Sequence, residues 1–206
     1  MSCVGNRLGT LIVDGCIQLK NLDCSQNPLT NLDLAGCENL QGLNCSGSQL
    51  KELDLAGYAS LQTLDCHQGQ ITNLNMAGCS SLATVNCSQN PLIRLDVSDC
   101  TSLEWLSCDE SQLTNLDLSG CTNLFGLSCR QSRLTTLDVT DCRKLIFVHC
   151  WSNRLTDLGA FLTNVVLRGG VHSDNELDVR GNPLSEFAIT NQIPALTNLG
   201  VNVLWP

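Results

Sequence analysis

The chain repeats itself every 21 residues, and that period constrains its fold more than any other feature. From Leu8 to Arg154, seven copies of one unit follow one another without insertion or deletion. One copy runs from Leu29 to Gln49. Its apolar residues fall in two clusters, Leu29, Leu32, Leu34 and Leu40, Leu43, Cys45, whose last two members alternate at the period of a strand. Down the columns one chemical type persists: Leu32, Leu53, Leu74, Leu95, Leu116, Leu137, and then Leu43, Leu64, Val85, Leu106, Leu127, Val148. A unit this short cannot bury both clusters alone. Coils stacked at the inter-strand spacing of about 4.8 Å can, with the core lying between two parallel strand ladders. The segments joining the clusters, such as Ala35 to Asn39, are too short and too rich in turn residues for helices. The pattern therefore predicts an all-β solenoid of short parallel strands, with two ladders and little or no helix.

The fourteen cysteines sit on the same lattice. Cys3, Cys24, Cys45, Cys66, Cys87, Cys108, Cys129 and Cys150 form one column. Cys16, Cys37, Cys79, Cys100, Cys121 and Cys142 form a second, with Tyr58 in the place of its missing member. In-register side chains of a parallel ladder stay near the strand spacing, beyond the usual disulfide Cβ separation of about 3.8 Å. Spacings of 8 and 13 within a unit match no common zinc pattern. His67 beside Cys66 and His149 beside Cys150 point to the opposite face from their neighbours. The thiols are thus expected as small buried hydrophobes, with no metal site.

The lattice breaks after Asn153. An irregular segment, residues 159 to 175, precedes a resumption at Leu177-Asp178-Val179 and Asn182-Pro183-Leu184. A final coil follows, with Leu184, Phe187 and Ile189 matching the first cluster and Leu196, Leu199 and Val201 the second. Residues 176 to 206 are read as this coil plus a cap that ends in Val203-Leu204-Trp205-Pro206, the whole chain forming one domain. The irregular segment, with its polar stretch Arg168 to Asp174, reads either as a recognition loop or as a tolerated bulge.

These units resemble the leucine-rich repeat. Leu-x-x-Leu-x-Leu-x-x-Cys and Leu19-Lys-Asn-Leu22-Asp-Cys24-Ser-Gln-Asn27-Pro-Leu29 both fit its consensus, nested so that two occur per 21 residues. The nesting is similar to a bacterial class of repeats that includes internalin-like surface proteins with a column of stacked cysteines. The resemblance implies a curved ligand-binding scaffold engaged in adhesion or host interaction. The chain departs from it at the asparagine position, kept at Asn27, Asn90 and Asn153 but Ser48, Gly69, Ser111 and Ser132 elsewhere.

Chemistry is sparse. The three histidines, His67, His149 and His172, are far apart in the repeat, and no phosphate-cradling, nucleophile-elbow or His-Glu-x-x-His motif occurs, so no enzymatic activity, cofactor or small-molecule substrate is expected. A net charge of -9 opposes nucleic acid and anionic lipid. No apolar run reaches membrane-spanning length and no export signal is legible, which leaves the compartment open between cytoplasm and, for an excised domain, the cell surface. The outward column Asp33, Asp54, Asp96, Asp117, Asp138 is expected to be satisfied by hydrogen bonds from backbone and from residues such as Thr30, Asn31, Thr114 and Asn115.

The outward residues of the second cluster are small and polar in early coils, as at Asn21, Ser25 and Gly42. Later coils carry Trp105, Asp109, Phe125, Arg130, Phe147, His149 and Trp151. Exposed aromatics grouped with Arg have the composition of interaction hot spots. The grouping reads equally as packing against the irregular segment. The expected function is a non-catalytic protein-interaction module with this patch as its contact surface. The alternative is a structural stretch of a longer or self-assembling solenoid.

Overall fold

The structure, a computed structural model, describes residues 1–167 and 175–206. The expected loop Arg168 to Asp174 lies outside them. In chain order the elements are β1 (Thr10–Ile12), β2 (Asn21–Asp23), β3 (Asn31–Asp33), β4 (Gly42–Asn44), β5 (Glu52–Asp54), β6 (Thr63–Asp65), β7 (Asn73–Asn75), β8 (Thr84–Asn86), β9 (Trp105–Ser107), β10 (Gly126–Ser128) and β11 (Phe147–His149). Then come α1 (Gly159–Leu167), β12 (Glu176–Asp178), a π-helical turn (Ala188–Gln192), α2 (Ile193–Asn198) and β13 (Asn202–Leu204).

The second apolar cluster builds one parallel sheet of nine strands in the order β13-β12-β11-β10-β9-β8-β6-β4-β2. Its register is the sequence period made visible, with Leu22 against Leu43, Leu43 against Leu64, and Leu64 against Val85. The ladder survives the break in the lattice, since Val148 pairs with Leu177 and Leu177 with Val203.

The first cluster forms a weaker ladder than the period suggests. Among the described residues only β1 with β3 and β5 with β7 pair fully, and Asp96 and Asp117 share a single bridge. Charge contributes to this, although the bridge that survives further along joins two aspartates. The full pairings set Asp33 against Ile12 and Asp54 against Asn75, whose Nδ2 donates to the Asp54 carboxylate at 2.9 Å. Where Asp faces Asp across the ladder, repulsion offsets the pairing.

The Asp column is satisfied by backbone N–H groups, as expected, with the hydroxyls of Ser98, Ser119 and Thr140 adding to them rather than Thr30, Asn31, Thr114 or Asn115. Each carboxylate accepts from the backbone N–H two residues ahead: Asp33 from Ala35, Asp54 from Ala56, Asp96 from Ser98 and Asp138 from Thr140. These are Asx turns, and they start the bend that closes each coil.

Between the ladders one apolar core runs from Val13 to Val201. Every cysteine is free. Twelve are buried, while Cys3 is half-buried and Cys16 is exposed. The second thiol column also bonds: Cys37 Sγ donates to Val13 O at 3.2 Å and Cys79 Sγ to Leu55 O at 3.1 Å. Tyr58 takes over this role with the same 24-residue offset, its hydroxyl donating to Leu34 O at 2.7 Å.

Asn27, Asn90 and Asn153 each tie two coils together. Asn90 Nδ2 donates to Cys87 O in its own coil and to Cys66 O in the preceding one, while its Oδ1 accepts from Ile71 N. Asn182 repeats the arrangement past the break, with Cys150 O and Val179 O as acceptors. Where the asparagine is missing the substitutes do less. Ser111 and Ser132 bond each other at 2.8 Å, and the buried Ser48 hydroxyl has no partner.

The C-terminal region departs from strand geometry. Residues 159 to 167, expected as part of an irregular segment, form α1, whose Phe161, Asn164 and Val165 are buried. Asn164 Nδ2 donates to the Val139 and Cys142 carbonyls of the last regular coil, covering its open end. In the final coil the first cluster is helical rather than extended. Ala188 is buried and Phe187 is 59 % exposed, reversing the expected inward role of Phe187. The final residues supply β13, the terminal strand of the ladder.

Candidate interaction surface

The nine-stranded sheet turns its leucines and cysteines inward, so the alternate residues form a regular outward lattice. Trp105 on β9, Gly126 on β10 and Phe147 on β11 occupy one column in direct register. Two strand spacings, about 9.6 Å, separate the outer pair. The Trp105 indole closes that gap by lying across the middle strand: its ring is 6.1 Å from Phe147, centroid to centroid, at an interplanar angle of 17°. Gly126 permits this. A Cβ there would stand 2.2 Å from Trp105 Cζ3.

Phe125, immediately before Gly126, completes the cluster. Its ring lies 5.3 Å from Trp105 and 5.5 Å from Phe147, tilted against both. Such pairs contribute about 0.5–1.5 kcal/mol beyond area burial. The three rings hold one another, yet Trp105 remains 44 % exposed while Phe125 and Phe147 are partly covered.

A second outward column holds Asp109, Arg130 and Trp151. Asp109 is buried and its carboxylate is fully used. Oδ1 accepts from Arg130 N at 2.7 Å and from Ser128 Oγ at 2.8 Å, and Oδ2 accepts from Arg130 Nε and Nη2. That bidentate clamp fixes the guanidinium, whose carbon lies 6.0 Å from the centre of the Trp151 ring. The hydrogen bonds that Arg130 donates to Asp109 also raise the Arg130 pKa above its ordinary value. Asp109 therefore acts by positioning Arg130. His149 bonds Glu176 at 2.9 Å, and next in its column Asp178 clamps Arg180. Burial disfavours the charge on Asp178, but the Arg180 side chain and backbone N–H outweigh it and hold the carboxyl below its usual range.

All seven expected residues thus lie on one face, as an aromatic trio, the Asp109–Arg130 clamp with Trp151 beside its guanidinium, and His149 bonded to Glu176. Sequence reasoning missed Gly126, Glu176 and Arg180. Gly126 was legible as the glycine one period after Trp105, whereas Glu176 lies beyond the break in the lattice, where the period no longer tells which residue comes alongside His149. Helix α1 packs on the Val139 and Cys142 carbonyls through Asn164. No helix is long and apolar enough to cross a membrane among the described residues, and among them no group of three or more His, Cys, Asp or Glu is placed to hold a metal ion.

The repeat, the continuous parallel ladder and the stacked thiols define the class: an internalin-like leucine-rich-repeat solenoid. Among solved structures the chain is similar to the functional domain of InlJ from Listeria monocytogenes, described as including a cysteine ladder. The two are 29% identical with a TM-score of 0.69, over 95% of this chain and 47% of that one. It is also similar to the internalin InlF from the same organism, at 18% identity and TM-score 0.76 over 96% of this chain and 60% of that one. A Shigella effector leucine-rich-repeat domain matches at 20% identity and TM-score 0.65, over 99% of this chain and 80% of that one. The chain spans about half the length of the InlJ structure. No protein-family profile and no curated protein matches it. Neighbours of this kind, internalins and an effector domain, fit a protein-interaction module.

Proposed function

We propose that the protein binds a protein partner through the outward face of β9 to β11, with Trp105, Phe125 and Phe147 as anchors and Arg130, His149 and Trp151 around them. One observation carries the reading: three rings in mutual contact on a sheet face, with the largest still 44 % exposed. Regular structure ordinarily buries aromatic area of this kind, and anchors prepared in advance avoid an ordering cost of about 0.5–1.5 kcal/mol per side chain on association.

The test is affinity capture with wild type and with Trp105→Ala/Trp151→Ala in parallel. A partner retained by the wild type and lost by a variant of unchanged melting temperature supports the site. Equal retention by both sinks it.

The first coil favours a second reading, association between copies of this chain. Its Ile12 and Ile17 are 64 % and 56 % exposed. Light scattering that finds oligomers in the wild type, and monomers in Ile12→Lys, supports that reading. A monomer at every concentration removes it.

A further inference from the structure

The charges around the aromatic trio are unequal, and the inequality selects a partner chemistry. Among the described residues, both arginines of this face are already committed, Arg130 to Asp109 and Arg180 to Asp178, so each guanidinium is neutralised where it stands. The remaining carboxylates are less matched. Glu104 is exposed beside Trp105 and occupies the same lattice column as Phe125, one coil earlier. Glu110 is exposed and receives only a neutral hydrogen bond, from the Gln89 amide at 3.0 Å.

Next to the aromatic trio lies a shallow depression of about 310 Å3. Asn86, Ser88, Gln89, Ser107, Glu110 and the Asp109–Arg130 pair line it, with His67, held by Asp65 at 2.6 Å, at its far side. It begins at Ser107, two residues along β9 from Trp105, and its lining is rich in oxygen acceptors. The Asn86 and Ser88 oxygens suit an ammonium or guanidinium donor, and Glu110 supplies the unmatched charge.

We infer that this face takes a partner segment pairing an apolar or aromatic side chain with a lysine or arginine a few residues away. The apolar group packs on Trp105, Phe125 and Phe147, and the cation enters the depression at Glu110, with Glu104 flanking the other side of the rings. This rests on the interaction reading above and adds the charge of the partner to it. Charge complementarity is the argument for this occupant: an acidic segment would bring its carboxylates against Glu104 and Glu110, in a protein of net charge -9.

Two blocked synthetic peptides of equal length test it, one with a central Trp flanked by Lys and one with Glu in place of each Lys. Each is titrated into the isotope-labelled full chain and followed by NMR. The Lys peptide is expected to shift the Trp105 indole N–H and the backbone amides of Glu110 and Phe147. Its affinity is expected to fall about tenfold as salt shortens the Debye length from roughly 30 Å to roughly 3 Å. Glu104→Gln/Glu110→Gln removes that salt dependence. Equal shifts from both peptides at these resonances overturn the charge preference and leave aromatic docking standing. Silence from both overturns the inference, and the capture experiment then judges the interaction reading separately.

Discussion

At the scale of single residues, polar side chains inside and beside the core act as fasteners between coils. The Asx turns are the clearest case. Backbone and hydroxyl hydrogen bonds from Ser98 and Thr140 hold the Asp96 and Asp138 carboxyls below their ordinary pKa. A folded-state pKa below the unfolded one means stability present above pH 3.8 and lost as the pH falls through the folded value. We expect the melting temperature to hold from pH 7 to pH 5 and to fall below about pH 4. Asn75 already makes the same turn with an amide, accepting from Ala77 N at 3.1 Å. Asp138→Asn should therefore keep the fold with a smaller acid loss, while Asp138→Ala costs about 1 kcal/mol at neutral pH in denaturant melts. Tyr58→Phe, which removes the hydroxyl bonded to Leu34 O, is expected to cost about 1 kcal/mol by the same measurement. A loss near zero would show that water replaces it.

At the scale of elements, the strands are three residues long and owe their order to stacking rather than to length. A residue on one strand can therefore dictate what the next strand tolerates. Trp105 lies over β10, so Gly126→Ala places a methyl where the indole ring sits. Trp105 is partly exposed and can swing aside. The expected outcome is a melting temperature within a few degrees of wild type, altered Trp fluorescence and weaker partner binding. Unchanged fluorescence would mean that the indole does not depend on Gly126. The two ladders differ for a reason at this scale too. The nine-stranded sheet carries its acidic residues next to neutral or basic neighbours, whereas the interrupted ladder places Asp33, Asp54, Asp96, Asp117 and Asp138 in one column.

At the scale of the whole molecule, the ends are unlike. Helices α1 and α2 cover the C-terminal end of the core, and the first coil keeps Cys16 exposed and Cys3 half-buried. Burial pushes the Cys24 and Cys87 thiols up to about 12 and those of Cys66, Cys108 and Cys129 well above their ordinary value. Thiol titration of the native protein should consume Cys16 first and Cys3 next, with the other twelve reacting only on unfolding. Fast reaction of a third thiol in native buffer would show that the coils open locally. Most of this architecture was legible beforehand, because a 21-residue period leaves a stacked coil little choice: every Leu and Cys column must turn inward, and the alternate columns outward. Periodicity therefore sets the repeat, the ladder register, the burial of twelve of the fourteen thiols and the face on which Trp105, Arg130 and Phe147 stand. Packing settles the rest, wherever a contact crosses coils at no fixed period. The clamp of Asp109 on Arg130, the indole lying over Gly126, the helices that replace the last first-cluster strand and the interruption of the Asp ladder all depend on side-chain reach and charge between coils, which periodicity does not encode.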